Sequence, residues 1–194
     1  MIDNDDPTNA APIFRKLQRP LRTGLALIAL SALVGFVAFS VGRYSPTKSV
    51  RVNVVNYLGQ TAPDFSLKTS YGSPFKLSSL RNKAVLLTFY ANTCAPCRAE
   101  TPWLVDFQNR YKDKGLEIVG VEMYGSSPES IQTFATEFRV GYRLLVGSDI
   151  VGDLYSVGGL PTNYYINRKG MLVHATEGAM PQPDMEAFIQ QALE

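Results

Sequence analysis

AVLLTFYANTCAPCRAETPWLVDFQNRYK, residues 84–112, is the stretch that decides the fold. Its first part, Ala84 to Tyr90, is a short apolar run typical of a buried β-strand. After Cys94-Ala-Pro-Cys97, apolar residues recur at helical spacing and predict a helix over Ala99 to Lys112. A cysteine that joins a strand to a helix lies beside unpaired backbone N–H groups and the positive end of the helix dipole, which stabilise its thiolate. We therefore predict a redox dithiol in which Cys94 attacks and Cys97 closes the disulfide.

Two other uses of the cysteine pair compete with this interpretation. Cys94 and Cys97 are the only cysteines in the chain, so one molecule cannot build a four-cysteine zinc site, and His174 alone is a poor complement. A purely structural disulfide is disfavoured, because a loop of two residues constrains the unfolded chain far less than a long loop does. Redox exchange remains the favoured use, and no metal is expected.

Glu100 lies three residues after Cys97, on a neighbouring face of the same predicted helix. A carboxylate in that position can take or return the proton of the Cys97 thiol during exchange. The alternative is an exposed helix glutamate that meets only solvent or an arginine.

Charge is distributed unevenly along the 194 residues. The first sixty hold seven Lys or Arg and three Asp, a net charge of +4, and the rest hold twelve basic and fourteen acidic residues, a net charge of −2. A domain with nearly balanced, mixed charge lacks the excess of basic residues that is typical of nucleic-acid binding. The length allows one ordinary domain with additional segments.

The additional segments precede the domain. Thr23–Gly42 is uncharged, almost wholly apolar and long enough to span a bilayer as a helix. Four basic residues precede it and three follow it, which favours a cytoplasmic N-terminus. We predict a cytoplasmic tail over 1–22, an anchor over 23–42, a linker over 43–60 and a folded domain over 61–194. The competing interpretation is a cleaved signal peptide, since Ala38-Phe-Ser40 has the small-x-small pattern of a cleavage site.

Strands and helices alternate in the predicted domain. Ser126 and Glu129 form a capping-box pattern at the start of one helix. The remaining predicted elements are a hairpin over 64–77, strands over 116–121 and 144–146, a short helix over 150–157, a hairpin over 162–174 and a last helix over 184–193. Such an order predicts an α/β domain with a mixed sheet covered on both faces.

Three stretches together resemble the TlpA/ResA-type thiol–disulfide oxidoreductases of the thioredoxin superfamily. GQTAPDFSL (59–67) is similar to the family's G-x-x-A-P-D-F-x-L entry, and NKAVLLTFYANTCAPCRAETP (82–102) to its strand and CxxC core. GLPT (159–162) resembles its cis-proline loop, and the insertion over 125–149 fits as well. The resemblance implies a thioredoxin-like fold, with a central mixed β-sheet and helices on both faces, after one N-terminal transmembrane helix.

The resemblance also implies residues for the site. It makes Leu160–Pro161 a cis peptide facing the two sulfurs, although an X–Pro bond is trans by default. The amide and carbonyl of Leu160 would then pair with an extended client chain as a strand edge does. Substrate contacts are expected from Thr93, Ala95, Pro96, Leu160 and Pro161. Members of the family also carry an acidic residue at the position of Glu100.

The function implied is an exported reductase of protein disulfides, for example in cytochrome c or oxidase assembly. Its partners would be client thiols and disulfides and a membrane protein that returns electrons, because exported compartments oxidise thiols. The domain would be a monomer without a cofactor, on the periplasmic face of the inner membrane or in an equivalent exported space.

This chain departs from the family pattern at two positions. Thr93 and Tyr90 stand where tryptophans are usual. Two rival functions are a thiol peroxidase, which would need a Thr where this chain has Ala91, and a non-enzymatic copper chaperone, whose cysteines are usually spaced by three residues.

Overall fold

In the part of the chain that the computed structural model describes, residues 58–194, seven strands form one sheet. The strands are β1 (Ser66–Thr69), β2 (Pro74–Lys76), β3 (Ala84–Tyr90), β4 (Leu116–Glu122), β5 (Arg143–Val146), β6 (Thr162–Ile166) and β7 (Leu172–Glu177). The helices are α1 (Ala95–Tyr111), α2 (Pro128–Phe138), α3 (Asp149–Leu154) and α4 (Gln182–Leu193), with short 3₁₀ turns at Leu77–Leu80 and Lys112–Lys114.

The strand order is β2-β1-β5-β4-β3-β6-β7. The strands β3, β4 and β5 run parallel, while β1, β2, β6 and β7 pair antiparallel with their neighbours. All seven residues of β3 are buried, as expected for a strand covered on both faces. The mixed sheet predicted from the sequence is confirmed.

One face of the sheet carries three helices. Leu86 of β3 and Ile118 of β4 pack against Phe107 of α1 and Ile189 of α4. Farther along the same face, α2 packs through Phe134, whose ring centroid lies 5.2 Å from that of Tyr90. Alternate residues of a strand point to opposite faces, which is why Leu86 and Tyr90 share this one.

The other face is covered by α3 and the Leu77–Leu80 turn, and Phe65 and Phe75 from the edge with β1 and β2 pack into the same core. Its centre is an aromatic cluster in which the ring of Tyr155 lies 5.3 Å from Phe89 and 5.1 Å from Tyr164. Helices therefore lie on both faces, as predicted, although only the short α3 represents them here.

The two ends of the sheet carry different loops. At one end, which we call the dithiol end, β3, β4, β5 and β7 finish and β6 begins, so the loops 91–94, 123–127, 147–148, 155–161 and 178–181 lie together there. The loops 81–83, 112–115, 139–142 and 167–171 lie at the opposite end.

Several element boundaries differ from the prediction by a few residues, and two of these differences lie next to the cysteine motif or to a buried carboxylate. Helix α1 begins at Ala95 rather than Ala99, so the whole cysteine motif lies at its start. Helix α2 is capped by Ser127, whose hydroxyl accepts the Ser130 N–H, and not by Ser126. The reason is that Ser126 donates both its hydroxyl, at 2.8 Å, and its N–H, at 2.9 Å, to the buried carboxylate of Glu122.

The predicted tail, the anchor Thr23–Gly42 and nearly all of the linker lie outside the described residues. Among residues 58–194, none of the helices combines the length and the apolar character needed to cross a membrane.

Candidate active site

The cysteine pair occupies the first turn of α1. Cys94 is the N-cap residue: its sulfur accepts the backbone N–H of Cys97 at 3.3 Å, and its carbonyl accepts the N–H of Arg98 at 3.0 Å. The two cysteines form a disulfide with their Cα atoms 5.3 Å apart. Once the disulfide is reduced, the same N–H group and the helix dipole favour the thiolate of Cys94.

Exposure distinguishes the two sulfur atoms. Cys97 is 3% exposed, whereas Cys94 is half-buried and its neighbours Thr93, Ala95 and Pro96 are exposed. A macromolecular disulfide can therefore approach Cys94, while Cys97 is covered by protein. This is the arrangement expected of an attacking and a resolving cysteine.

Glu100 is buried in the same helix, with 1% of its surface exposed. The alternative of an exposed glutamate is therefore wrong. Its Oε1 accepts a hydrogen bond from Nδ2 of Asn163 at 2.6 Å, and its Oε2 has no protein partner. Burial raises the pKa of Glu100 to about 7, although the Asn163 hydrogen bond opposes the rise. The carboxyl can consequently gain or lose a proton near neutral pH.

A cavity of about 10 Å³ joins Glu100 to the buried sulfur. Its walls include Cys97, Glu100, Tyr90, Tyr142 and Pro161. That volume is close to the minimum that holds one water molecule. Burial raises the pKa of both phenols well above the usual tyrosine value, so they stay neutral while Glu100 titrates. The hydroxyl of Tyr90 and Oε2 of Glu100 are both buried without a protein partner, which leaves two polar groups to bond such a water.

The Leu160–Pro161 bond is a cis peptide, as the family resemblance implied. Pro161 is buried and shares the cavity with Cys97, while Leu160 is half-buried. We call residues 158–161 the cis-proline loop. It lies at the dithiol end and gives the site a second wall.

Glu177 of β7 supports this loop from behind. Burial raises the pKa of its carboxyl, whereas the backbone N–H of Gly158 lies near the carboxylate and favours the ionised form, and its Oε2 is buried without a hydrogen-bond partner. A Cβ atom on Gly159 would lie only 2.9 Å from Oε1 of Glu177, so the carboxylate fits because residue 159 has no side chain. The next residue, Gly178, donates its N–H to the Pro161 carbonyl at 2.7 Å. Sequence reasoning missed Glu177 and Asn163, because neither belongs to a motif.

Other residues considered from the sequence lie apart from this chemistry. His174 is on β7, where its ring stacks on Phe188 at 3.4 Å, and burial lowers its pKa. Among residues 58–194, no three His, Cys, Asp or Glu side chains gather as they would around a metal ion.

Comparison with known proteins identifies relatives along most of the chain. Residues 58–175 match the model of the AhpC/TSA family. The thioredoxin-like protein YneN of Bacillus subtilis is 33% identical over 168 residues, which cover 86% of this chain and 96% of that protein. The thiol-disulfide oxidoreductase ResA of Geobacillus kaustophilus is 30% identical over 177 residues, covering 91% and 97%.

Among solved structures, a putative thiol:disulfide interchange protein DsbE from Chlorobium tepidum superposes with a TM-score of 0.66. Its sequence is 31% identical, and the match covers 71% of this chain and 98% of that one.

Proposed function

The chain belongs to the AhpC/TSA family, among its thioredoxin-like, ResA-type thiol–disulfide oxidoreductases, and we propose that Cys94 and Cys97 carry out its exchange reaction. The protein is a thiol–disulfide oxidoreductase. The observation that supports the assignment of the cysteines is the placement of the chain's only two at the start of α1, with one accessible and one buried.

In the reducing direction, the reaction begins with both cysteines reduced. The Cys94 thiolate attacks one sulfur of a client disulfide, which forms a mixed disulfide and releases the other client sulfur as a thiolate. Cys97 then attacks Cys94, so that the Cys94–Cys97 disulfide forms and the second client sulfur leaves. Two electrons pass to the client, and the disulfide seen in the structure is the oxidised product.

Glu100 serves the second step. Cys97 must lose its proton before it can attack, yet its sulfur is buried away from bulk solvent. A carboxylate with a pKa near 7, in the same cavity, can accept that proton directly or through one water molecule. In the reverse reaction Glu100 returns the proton to the leaving Cys97 sulfur.

The client binds across the dithiol end. Its extended chain pairs with the backbone of Leu160 in the cis-proline loop, and its flanking residues touch Thr93, Ala95 and Pro96. The exposure of those three residues and the support of the loop by Glu177 favour this arrangement.

We infer the location from the sequence of residues 1–60 and the direction of exchange from the family resemblance. Thr23–Gly42 anchors the protein in the cytoplasmic membrane, and residues 61–194 lie in the periplasm or an equivalent exported space. There the protein acts as a monomeric reductase, and a membrane dithiol protein re-reduces it because that compartment is oxidising. Its clients are cysteine-containing proteins such as those of cytochrome c or oxidase assembly.

One set of assays separates this function from its rivals. Residues 58–194 should reduce insulin disulfides with dithiothreitol as electron source, without consuming peroxide or retaining copper after gel filtration. Peroxide turnover that depends on Cys94 would instead support a peroxidase, and stoichiometric copper would support a chaperone.

The predicted anchor is tested by labelling: a membrane-impermeant maleimide should label reduced Cys94 in whole cells. Labelling only after lysis would reverse the orientation, and a mature chain that begins near Val41 would show cleavage.

A further inference from the structure

Unpaired positive charge collects at the end of the sheet opposite the dithiol. Six exposed basic residues lie in three neighbouring loops there, and we call this surface the basic end: Arg81, Lys83, Lys112, Lys114, Arg168 and Lys169. None of them is among the ion-paired cations of residues 58–194, which are Lys76, Arg98, Arg110 and Arg143. The nearby carboxylates of Asp64, Glu117 and Glu186 are paired with Lys76, Arg143 and Arg110. Asp113 and the terminal Glu194 are the acidic residues there that are in none of the ion pairs of residues 58–194.

The three loops form one continuous surface. Arg168 donates to the Lys114 carbonyl at 2.6 Å and to the Leu193 carbonyl at 3.0 Å, and its own carbonyl accepts the N–H of Asn82 at 3.2 Å. The cations are therefore held on a common face instead of extending separately on mobile loops.

The dithiol end has the opposite character. Its loops 91–94, 123–127, 147–148, 155–161 and 178–181 contain neither Lys nor Arg. Acidic Glu129, Asp149 and Asp153 are exposed close to them. The part of the chain after residue 60 has a net charge of −2. The basic end therefore results from the positions of the basic residues on the surface and not from an excess of them in the domain.

The chain enters the domain beside the basic end. The N–H of Gly59 donates to the Leu172 carbonyl, and that of Ala62 to the Gly170 carbonyl, each at 2.8 Å. The sequence places the predicted anchor at Thr23–Gly42, and the residues from 43 to 57 can reach about 50 Å when extended. A tether of that length does not by itself determine which end of the domain meets the bilayer.

A recess with both apolar and polar walls adjoins two of the cations. Arg81 and Lys83 line a cavity of about 310 Å³ together with Leu77, Leu80 and Ile166, and with the carboxylate of Asp64, which is paired with Lys76 at 3.3 Å. Cations beside partly apolar walls suit the phosphate and glycerol region of a phospholipid better than they suit a polyanion that is polar throughout.

We propose that the basic end docks on a bilayer surface that contains anionic phospholipid. Surface potential from such lipids attracts clustered Lys and Arg within about one Debye length, roughly 8–10 Å in physiological salt. Docking orients the sheet so that the dithiol faces away from the membrane. The seven residues of β3 then hold the site about 23 Å above the docked loops, at about 3.3 Å per residue. This orientation presents the dithiol to clients in the exported space.

The test is lysine acylation of the full-length protein in lipid nanodiscs, read by peptide mass spectrometry. In discs containing phosphatidylglycerol, Lys83, Lys112, Lys114 and Lys169 should react about fivefold or more slowly than in phosphatidylcholine discs, since the contact is electrostatic. Lys68 and Lys76, on the β1–β2 hairpin, serve as internal controls and should react equally in both. Salt at about 1 M should abolish the difference, because the Debye length falls to about 3 Å.

Two variants with equal charge loss sharpen the result. Protection of Lys114 should largely disappear when Lys112 and Lys169 are both changed to Gln, and persist when Lys68 and Lys76 are. Equal acylation of these lysines in the two lipids would overturn the proposal, because any protection common to both lipids would come from tethering alone. Failure of the predicted anchor is recognised separately, as protein that does not co-elute with phosphatidylcholine discs.

Discussion

Glu100→Gln should stabilise the oxidised protein, and the gain should grow as the pH rises. Burial raises the pKa of Glu100 from 4.5 to about 7. Below pH 4.5 both the folded and the unfolded protein hold this proton, so the ionisation of Glu100 does not lower the free energy of unfolding. Between the two pKa values only the folded state keeps it, so the free energy of unfolding falls as the pH rises. Above about pH 7 the folded protein must bury a charged carboxylate.

The size of the effect follows from the two pKa values. Their separation, at about 1.4 kcal/mol per pH unit, corresponds to a cost of about 3 kcal/mol in the wild-type protein at pH 8. The Glu100→Gln variant avoids that cost, because the carbonyl of the new amide can still accept from Asn163 and the amide never ionises. Any fixed change in hydrogen bonding at the former Oε2 is the same at every pH. The gain in unfolding free energy should therefore be about 3 kcal/mol larger at pH 8 than at pH 4.5.

Urea unfolding of residues 58–194 measures this difference, since that segment contains the whole sheet and its core. The oxidised form is used because its cysteines do not titrate, and other groups with shifted pKa values cancel between variant and wild type. Asp153→Asn, which removes an exposed carboxylate, is the matched control for the loss of one acidic charge. A Glu100→Gln difference that changes with pH no more than that of the control would refute the assignment of a raised pKa to Glu100.

Three further predictions concern the reduced protein and its clients. Asn163→Leu removes the hydrogen bond that favours ionised Glu100, so the pH dependence of the rate of Cys97 attack should shift to higher pH by about one to two units. Stopped-flow rates that keep the wild-type pH dependence would contradict this. Cys94 should react with iodoacetamide at least about tenfold faster than Cys97 because of exposure and the helix terminus, and equal labelling by peptide mass would contradict it. Glu177→Ala should raise KM for a protein disulfide severalfold with little change in kcat, whereas Glu177→Gln keeps an acceptor for the loop and should stay near wild type; equal effects of the two variants would exclude the loop contact.

The sheet and the cysteine motif could be predicted because their signals are local. Ala84–Tyr90 is an uninterrupted apolar run, and the observed β3 has the same limits. The start of α1 was less predictable, because Ala95-Pro96 lacks the apolar spacing on which the helix over Ala99 to Lys112 was based. Proline fits the first turn of a helix, and that signal could have moved the start to the observed position.

The surroundings of Glu100 could not be predicted, because they come from distant parts of the chain. Its hydrogen-bond partner Asn163 is 63 residues away, and Tyr142 reaches the cavity from the residues just before β5. Helical spacing alone left an exposed glutamate open as an alternative, since it gives the face of a residue but not what covers that face. The Ser126 cap failed for a similar reason, because the buried Glu122 carboxylate competes for its hydroxyl.

The central claim, that Cys94 attacks the client and Cys97 resolves the adduct, is tested most directly by trapping the mixed disulfide. Cells that produce the full-length Cys97→Ser variant should accumulate adducts that dithiothreitol releases and whose client peptide is linked to Cys94. The matched Cys94→Ser variant should accumulate few or none, because the remaining sulfur is buried. Adducts that form mainly through Cys97 in Cys94→Ser cells, or equally in both variants, would contradict the account.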